Sequence, residues 1–390
     1  MSVSDRHIVH MDLDTFFVSC QRLLDPGLIG KPVIIGSTSD RGVVSTCSYE
    51  ARYFGVRSAM PMKQALQRCP HATLVRGDMD LYTKKSQEVT QIIQEVAPIY
   101  EKSSIDEFYL DASGMDKFFG TYDWTNELTQ KITKETGLPI SFGLSENKTV
   151  AKIATSEGKP EGRIQVDHHL IQHFLNPLSI GKIPMLGPKT QEELHRIGIR
   201  RIETLSKTPV DFLEILFGKN GKTIHLKANG IDNSPVVQYS EAKSISTERS
   251  FDKDTLDLKG IQALLVKFVE ELCYKLRKDE KVCSSVTVKI RYTNFDTHTQ
   301  QSSFPYTGSD EIIIHKVRAL FDKLYERRMR IRLIGVKLSG LVQGGHQINL
   351  FEDTGEKIAL LQAMDTIKNR YGKNSVMRAS GFNALKRNNE

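Results

Sequence analysis

The sequence predicts an α+β protein of several domains, and three observations support this. At 390 residues the chain is longer than a single hydrophobic core usually accommodates. Strand-like and helix-like segments alternate through residue 166, which is typical of a sheet with helices packed against it. A second alternation of strands and long helices occupies residues 243–342, beyond a stretch of short helical segments.

The first half of the chain begins with a predicted strand that carries carboxylates at its end. Apolar residues at helical spacing fill residues 80–97, and Pro98 ends that helix. The predicted elements are, in order, a strand from Ile8, strands at 32–36 and 42–46, helices at 49–55, 61–69 and 80–97, a strand within 102–114, a helix near 123–136, a strand at 139–145 and a helix at 147–159.

The second half opens with a predicted helical hairpin at 181–205, in which Gly187, Pro188 and Gly198 interrupt the helical pattern. The polar stretch 229–244 predicts a linker. The elements predicted after it are a strand at 243–250, a helix at 257–277, strands at 282–293 and 299–306, a helix at 310–326, a strand at 330–342 and an amphipathic helix at 357–371.

Charge and composition favour a soluble protein that binds a polyanion. The net charge is +7, but residues 1–180 carry 19 basic against 22 acidic side chains, whereas residues 236–345 carry 19 against 14. Lys and Arg neutralise phosphates, so this distribution fits nucleic-acid binding behind an acidic site. Five cysteines without a CxxC pair indicate neither a zinc site nor a disulfide framework. With no long apolar run and no signal-like start, we expect a cytoplasmic protein without a membrane segment. We also expect a monomer.

Two carboxylates, Asp106 and Glu107, interrupt the predicted strand in KSSIDEFYLDASG (102–114). A solvated β-turn is one explanation, since acidic residues are common at turns. The alternative is that Asp12, at the end of the first strand, lies on a neighbouring strand and completes a cluster. Three carboxylates repel one another unless cations are bound, and hard oxygen ligands select Mg²⁺ or Mn²⁺. Two such ions about 4 Å apart catalyse in-line phosphoryl transfer. Asp14 is either a further member or a structural residue.

Four ordered segments resemble the Y family of translesion DNA polymerases. They are IVHMDLDTFFVSCQ (8–21), YEARYFGVRSAMP (49–61), SSIDEFYLDASG (103–114) and FGLSENKTVAKIATSEGKP (142–160). The resemblance covers residues 7–343 and is closest to the DinB, or DNA polymerase IV, type, with UmuC-like features. Gln21 departs from the Glu of many relatives, and Thr15 and Cys20 are also unusual. No metal ligand is replaced, so we expect activity.

The resemblance implies a right-hand polymerase. Its parts are a catalytic palm (1–17 and 77–166), small fingers (18–76), a thumb with a helix-hairpin-helix (167–232), a linker (233–242), a DNA-binding little finger domain (243–343) and a C-terminal tail (344–390). The activity implied is template-directed synthesis of low fidelity past damaged bases, by two-metal nucleotidyl transfer.

The resemblance also assigns the site residues. Asp12, Asp106 and Glu107 are the expected ligands of two Mg²⁺ ions, Mn²⁺ being an alternative, with the Leu13 carbonyl assisting. Phe17 is the expected steric gate, whose ring leaves no room for a ribose 2′-hydroxyl. The residues expected to hold the dNTP triphosphate are the Phe16 amide, Thr46, Tyr49, Arg52 and Lys159.

Further expected partners are primer-template DNA and a sliding clamp. In the hairpin, Gly187 and Lys189 are placed to meet DNA phosphates without reading bases. Cations on or beside the predicted strands of the last domain are further candidates: Lys243, Arg249, Lys289, Arg291, Arg330 and Arg332. The segment QINLF resembles a pentapeptide that binds the β clamp through Gln347, Leu350 and Phe351.

Three other functions are compatible with parts of the sequence. A UmuC-like polymerase subunit would require accessory proteins. A nucleotidyl cyclase uses a similar palm and two metals but has no need of a helical hairpin or a basic C-terminal domain. A clamp-tethered DNA-binding accessory protein would tolerate the loss of a carboxylate, and all three are present.

Overall fold

The computed structural model describes residues 6–39, 41–115, 120–238, 241–325, 329–344 and 354–386. The chain divides into two compact units, Met1–Ser240 and Glu241–Glu390. Within the described ranges, no helix has the length and apolar character needed to cross a bilayer.

The first unit contains two sheets and a helical region. Its strands are β1 (Ile8–Leu13), β2 (Val33–Gly36), β3 (Val44–Cys47), β4 (Thr73–Val75), β5 (Ile99–Lys102), β6 (Glu107–Asp111), β7 (Ile140–Ser145) and β8 (Arg163–Gln165). Its helices are α1 (Phe16–Leu24), α2 (Tyr49–Tyr53), α3 (Met62–Arg68), α4 (Met79–Val96), α5 (Thr121–Thr136), α6 (Lys148–Gly158), α7 (Ile171–Leu175), α8 (Pro188–Arg196), α9 (Ile202–Lys207), α10 (Val210–Phe217) and α11 (Lys219–Ala228).

The larger sheet has the order β5-β6-β1-β7-β8, and β1 pairs antiparallel with both of its neighbours. Successive side chains of a strand point to opposite faces. On β1, Val9, Met11 and Leu13 enter a core formed with α4 and α5. His10 lies on the other face, where it contacts Thr155 of α6. Asp12 follows His10 by two residues and therefore shares the face covered by α6.

Helix α6 lies very close to the sheet, and two residues explain why. Asn147 caps its start by accepting a hydrogen bond from the Val150 amide at 3.0 Å. Gly143 of β7 leaves room for the helix backbone, because a Cβ at this position would lie 2.2 Å from the Ala151 carbonyl oxygen. The lysines of α6 are thereby brought over the end of β1.

The other parts of the first unit have their own small cores. A three-stranded sheet, β3-β2-β4, packs against α1, α2 and α3. Helices α7 to α11 share a core with the apolar face of α6. Between α8 and α9, Gly198 takes a φ of 86°, a left-handed conformation that glycine adopts without strain. The helix, turn and helix predicted at 181–205 are therefore present.

The second unit is a four-stranded antiparallel sheet covered by helices. Its strands follow the order β11-β10-β12-β9, and a short strand β13 also pairs with β10. The elements are β9 (Ser244–Thr255), β10 (Lys281–Tyr292), β11 (Thr297–Thr307), β12 (Ile331–Ser339), β13 (Val342–Gln343), α12 (Leu258–Lys278), α13 (Asp310–Leu324), α14 (Thr354–Tyr371) and α15 (Ala379–Lys386).

The C-terminal helices α14 and α15 pack in this unit, and a charged network ties α14 to α12. Arg277 of α12 donates to both carboxylate oxygens of Asp365 at 2.6 and 2.9 Å, and to Asp310 at 2.6 Å. Asp310 is fully buried, so the guanidinium balances a charge that water does not reach. Helix α15 contacts α12 directly. Residues 354–386 are thus part of this domain's packing.

Most elements predicted from the sequence are present with ends shifted by a few residues. The strand predicted within 102–114 is in fact a hairpin: β5, a bend at 103–106, and β6. Asp106 lies in the bend, as the turn explanation expects, and Glu107 begins β6. The elements that were not predicted are α1, β4, α7, β8, α10, α11, β13 and α15.

Candidate active site

The register of β1 and β6 places Asp12 directly opposite Glu107. Opposite residues of an antiparallel pair project from the same face, so the two carboxylates are neighbours. Asp106 is joined to the same strand end, since its carbonyl oxygen accepts a hydrogen bond from the Leu13 amide at 3.0 Å. The structure therefore brings the carboxylates of Asp12 and Glu107 together and places the backbone of Asp106 at the same strand end.

The hairpin bend holds Asp106 and Glu107 through Ser104. The Ser104 hydroxyl donates to Asp106 Oδ1 at 2.5 Å and accepts from the amides of Asp106 and Glu107 at 3.2 and 3.1 Å. A serine that bonds the backbone two or three residues ahead is a common device in turns. The Ser-Ile-Asp-Glu order thus fixes the backbone positions from which the Asp106 and Glu107 side chains project.

Two lysines from the α6 segment balance the carboxylates. Lys152 Nζ donates to both oxygens of Glu107 at 2.7 Å, and Lys159 Nζ forms an ion pair with Asp12. Burial raises the pKa of the Asp12 carboxyl to about 7; Lys159 opposes this rise, and the charges of Asp106 and Glu107 add to it. Lys152 is not among the residues predicted from the sequence, where it is one of many lysines.

His10 is a second residue that the sequence did not single out. It is fully buried, its Nδ1 lies 2.8 Å from the Thr155 hydroxyl, and its Nε2 has no partner among the described residues. Burial first, and then Lys152 and Lys159, hold the pKa of His10 well below its usual value. The imidazole is therefore neutral. Its position two residues before Asp12, and so on the same face, was the signal available in the sequence.

The donor set at this edge fits a divalent cation. Ligand atoms of His10, Asp12 and Glu107 lie within 4.8 Å of one another. Carboxylate oxygens suit Mg²⁺ and Mn²⁺, and a neutral imidazole adds a donor that transition metals accept. The lysine ion pairs are consistent with a cluster of carboxylates that needs positive charge nearby.

Asp14 is bound by the protein on both oxygens. It is 1% exposed and accepts hydrogen bonds from Ser141 Oγ at 2.8 Å, the Glu161 amide at 2.7 Å and Tyr49 OH at 3.3 Å. Lys159 Nζ lies 3.5 Å from its Oδ1. Asp14 thus connects two of the residues predicted to hold the triphosphate, Tyr49 and Lys159.

The remaining residues predicted to contact the nucleotide lie on the smaller sheet and on helices α2 and α1. Tyr49 and Arg52 share a face of α2, and the Arg52 guanidinium lies 5.0 Å from the Tyr49 ring centre. Thr46 is half-buried in β3. Phe16 is buried, whereas Phe17 is half-buried and stacks on another aromatic ring.

The residues predicted to contact DNA differ in their position and in what surrounds them. Gly187 is the N-cap of α8, and Lys189 is exposed in the first turn. Lys243 is exposed just before β9, Arg330 is exposed just before β12, and Arg332 covers the Phe295 ring at 4.3 Å.

Arg249 projects from an unexpected face of the C-terminal sheet. It pairs with Ile334, a core residue, so both project from the face that the helices cover. The opposite face carries Lys289, Arg291 and Lys337 at alternating positions. The uncovered face of the sheet therefore carries two cations predicted from the sequence, Lys289 and Arg291, together with Lys337, which the sequence did not single out. The clamp candidates Gln347, Leu350 and Phe351 lie outside the described residues.

Comparisons with known proteins agree with this geometry. Residues 11–156 match the impB/mucB/samB family, residues 242–350 its C-terminal domain, and residues 171–199 the helix-hairpin-helix motif of the same family. The chain is 36% identical over 375 residues to a DNA polymerase IV of Dehalococcoides mccartyi, covering 95% of this chain and 96% of the relative. It is 37% identical over 349 residues to a DNA polymerase IV of Methanoculleus marisnigri, covering 88% and 97%.

A solved Y-family DNA polymerase chimera of Dbh and Dpo4 has a TM-score of 0.77 to this chain at 26% identity, covering 87% of this chain and 100% of the chimera. The chain belongs to the impB/mucB/samB family, the Y family of DNA polymerases. It is a DNA-directed DNA polymerase of the translesion type, as the four sequence motifs predicted. The cyclase and accessory-protein alternatives are thereby excluded.

Proposed function

We propose that this polymerase extends a primer opposite and past damaged template bases with Asp12, Asp106 and Glu107 as the ligands of two Mg²⁺ ions. The observation that carries this proposal is the pairing of Asp12 with Glu107 across β1 and β6, with Asp106 in the adjoining bend. When bound, the two ions supply charge neutralisation and activation of the primer 3′-hydroxyl. The Leu13 carbonyl stands at the same strand end and is a further oxygen donor.

The residues around this edge would bind and orient the nucleotide. Tyr49, Arg52 and Lys159 supply hydrogen-bond donors and fixed positive charge for the triphosphate, with Thr46 and the Phe16 amide beside them. Lys159 is paired with Asp12 in this structure, so it changes partner when cations and nucleotide arrive. The ring of Phe17 would close the space that a 2′-hydroxyl needs.

Substitution of Glu107 separates this proposal from a structural role for the acidic pair. In Glu107→Gln, loss of a metal-binding charge lowers nucleotide incorporation by at least about a thousandfold, while primer-template affinity stays unchanged. The matched control is Glu101→Gln on β5, since Glu101 also pairs with a lysine of α6, Lys148, but lies outside the cluster. Primer extension with Mg²⁺ and fluorescence anisotropy measure the two quantities. Incorporation at the control's rate by Glu107→Gln would refute the metal assignment.

We also propose that residues 347–351 bind the sliding clamp. The support is the sequence QINLF directly after the C-terminal sheet. In the full chain, Phe351→Ala removes the stimulation of primer extension by a clamp and leaves unstimulated extension unchanged. Extension by the purified chain alone, without accessory proteins, distinguishes it from a UmuC-like subunit that needs partners.

A further inference from the structure

The ring of Phe17 lies flat against the ring of Tyr82. Their centres are 4.1 Å apart and their planes differ by 10°. Tyr82 belongs to the first turn of α4 and is fully buried, whereas Phe17 belongs to α1 and is half-buried. The proposed gate is therefore the outer member of a stack whose inner member is fixed in the core.

Helix α1 contacts Tyr82 a second time. Gln21 follows Phe17 by four residues and so lies on the same face of the helix. Its Nε2 donates a hydrogen bond to the Tyr82 hydroxyl at 3.0 Å. Phe16 also packs against this tyrosine, with ring centres 6.2 Å apart at 57°. Helix α1 thus holds both the ring and the hydroxyl of Tyr82.

Rejection of a single hydroxyl group demands a gate that does not move. A hydrophobic pocket rejects an isostere that carries a hydroxyl by only about a hundredfold. A 2′-hydroxyl is larger than the hydrogen it replaces, so a pocket wall that does not yield adds steric rejection. A ring backed by solvent could rotate about its side-chain bonds. A ring stacked on a buried partner loses its face-to-face contact when it rotates. The surroundings of Phe17 therefore bear directly on sugar selection.

We propose that Tyr82 and Gln21 are positioning residues for sugar discrimination: Tyr82 supports the gate ring, and Gln21 holds Tyr82. They act through Phe17, so this inference rests on the proposed role of Phe17. The specificity of the enzyme then depends on three residues of two helices.

The test measures kcat/KM for incorporation of a dNTP and of the matching ribonucleotide. In Tyr82→Leu, which keeps an apolar side chain but removes the stacked ring, the dNTP-to-ribonucleotide ratio falls by roughly three- to tenfold, the factor that one aromatic contact supplies. Incorporation of dNTP itself falls less. Gln21→Met and Tyr82→Phe each remove the hydrogen bond and lower the ratio to a smaller extent. Their double variant loses no more than either alone, because both changes remove the same bond.

Two variants serve as controls. Gln21→Glu replaces the donor with a carboxylate to which the Tyr82 hydroxyl can donate, so a hydrogen bond remains and the original ratio is retained. Tyr325→Leu removes another parallel stack, with Phe321 in the C-terminal unit at 5.8 Å and 6°, and also leaves the ratio unchanged.

Phe17→Ala distinguishes failure of this inference from failure of the gate. If Phe17→Ala lowers the ratio while Tyr82→Leu and Gln21→Met leave it unchanged, the support role is refuted and the gate stands. If Phe17→Ala also leaves it unchanged, the gate is refuted and this inference with it. Equal losses for both nucleotides in Tyr82→Leu indicate a structural role only and refute the inference. If Tyr82→Leu fails to fold, Gln21→Met and Tyr82→Phe test the support role instead. Unchanged dNTP-to-ribonucleotide ratios in both variants refute that role.

Discussion

Replacement of Asp14 by asparagine tests whether this buried carboxylate positions the nucleotide site or binds a metal. The Asp14→Asn side chain would keep the shape of the original but turn one acceptor oxygen into a donor. Asp14 Oδ2 accepts hydrogen bonds from the Ser141 hydroxyl and from the Glu161 backbone amide, and the backbone amide has a fixed orientation and can only donate. The oxygen of the new side-chain amide therefore takes this place, and its NH₂ group faces Tyr49 and Lys159.

The structure gives the magnitude of the effect. The Tyr49 hydroxyl can rotate and accept from the new NH₂ group, but it loses a charged partner, and Lys159 loses one of its two carboxylates. A hydrogen bond to a charged group is worth about 1.5–3 kcal/mol. Since Tyr49 and Lys159 are the proposed triphosphate contacts, KM for dNTP rises by roughly ten- to a hundredfold. The turnover number kcat changes by less than about threefold, because the metal ligands are untouched.

Steady-state incorporation of a single nucleotide measures both constants. Asp12→Asn is the comparison for a lost metal ligand and lowers kcat with little effect on nucleotide binding. Ser141→Ala is the matched mild variant, as it removes one donor but keeps the charge of Asp14. If Asp14→Asn lowered kcat to the level of Asp12→Asn without raising KM, Asp14 would be a metal ligand and the positioning argument would be wrong.

Two further substitutions test the packing on which the site and the C-terminal unit depend. Gly143→Ala puts a Cβ 2.2 Å from a carbonyl oxygen of α6, so we expect a loss of about 1–3 kcal/mol of stability together with weaker incorporation. The control in a chemical denaturation series is Gly355→Ala in α14, whose Cβ meets nothing within 4 Å. Arg277→Met leaves the buried Asp310 without its cation and lowers the free energy of unfolding by about 3–5 kcal/mol. Thermal unfolding of the full chain measures this loss. Asp365→Ala is the control, because it keeps the Arg277–Asp310 pair and therefore costs less. Unfolding at the original temperature in Arg277→Met would contradict this account.

Local sequence patterns were sufficient to predict most elements of the fold. Helical periodicity and Pro98 located α4, and the helix predicted at 147–159 has Asn147 as its cap. Alternation and turn residues located the long strands of the C-terminal unit. Short elements were missed because little in their own sequence favours them: β8 has three residues and pairs with the distant β7, and α15 is an eight-residue helix packed on α12.

The carboxylates of the site were predictable, but their partners were not. A charged residue within an apolar strand is visible in a sequence, and two such places predict a cluster if their strands are neighbours. Lys152 has no such local signal, because a lysine on a helix is ordinary, and His10 has only its spacing of two residues before Asp12. The Lys152 contact to Glu107 spans 45 residues, and the Thr155 contact to His10 spans 145. Only the pairing of β1 with β6 and the packing of α6 bring these groups together.

Helix α6 shows why a single element decides so much of this site. Its Thr155 holds His10, and its Lys152 and the adjoining Lys159 meet Glu107 and Asp12. All of these contacts depend on the short distance between helix and sheet that Gly143 permits. A change that lifts α6 would alter the positive charge next to the carboxylates and the nucleotide contacts at once. Metal binding and nucleotide binding in this enzyme are therefore expected to weaken together in Gly143→Ala, whereas Tyr82 and Gln21 substitutions lower sugar selection more than they lower dNTP incorporation.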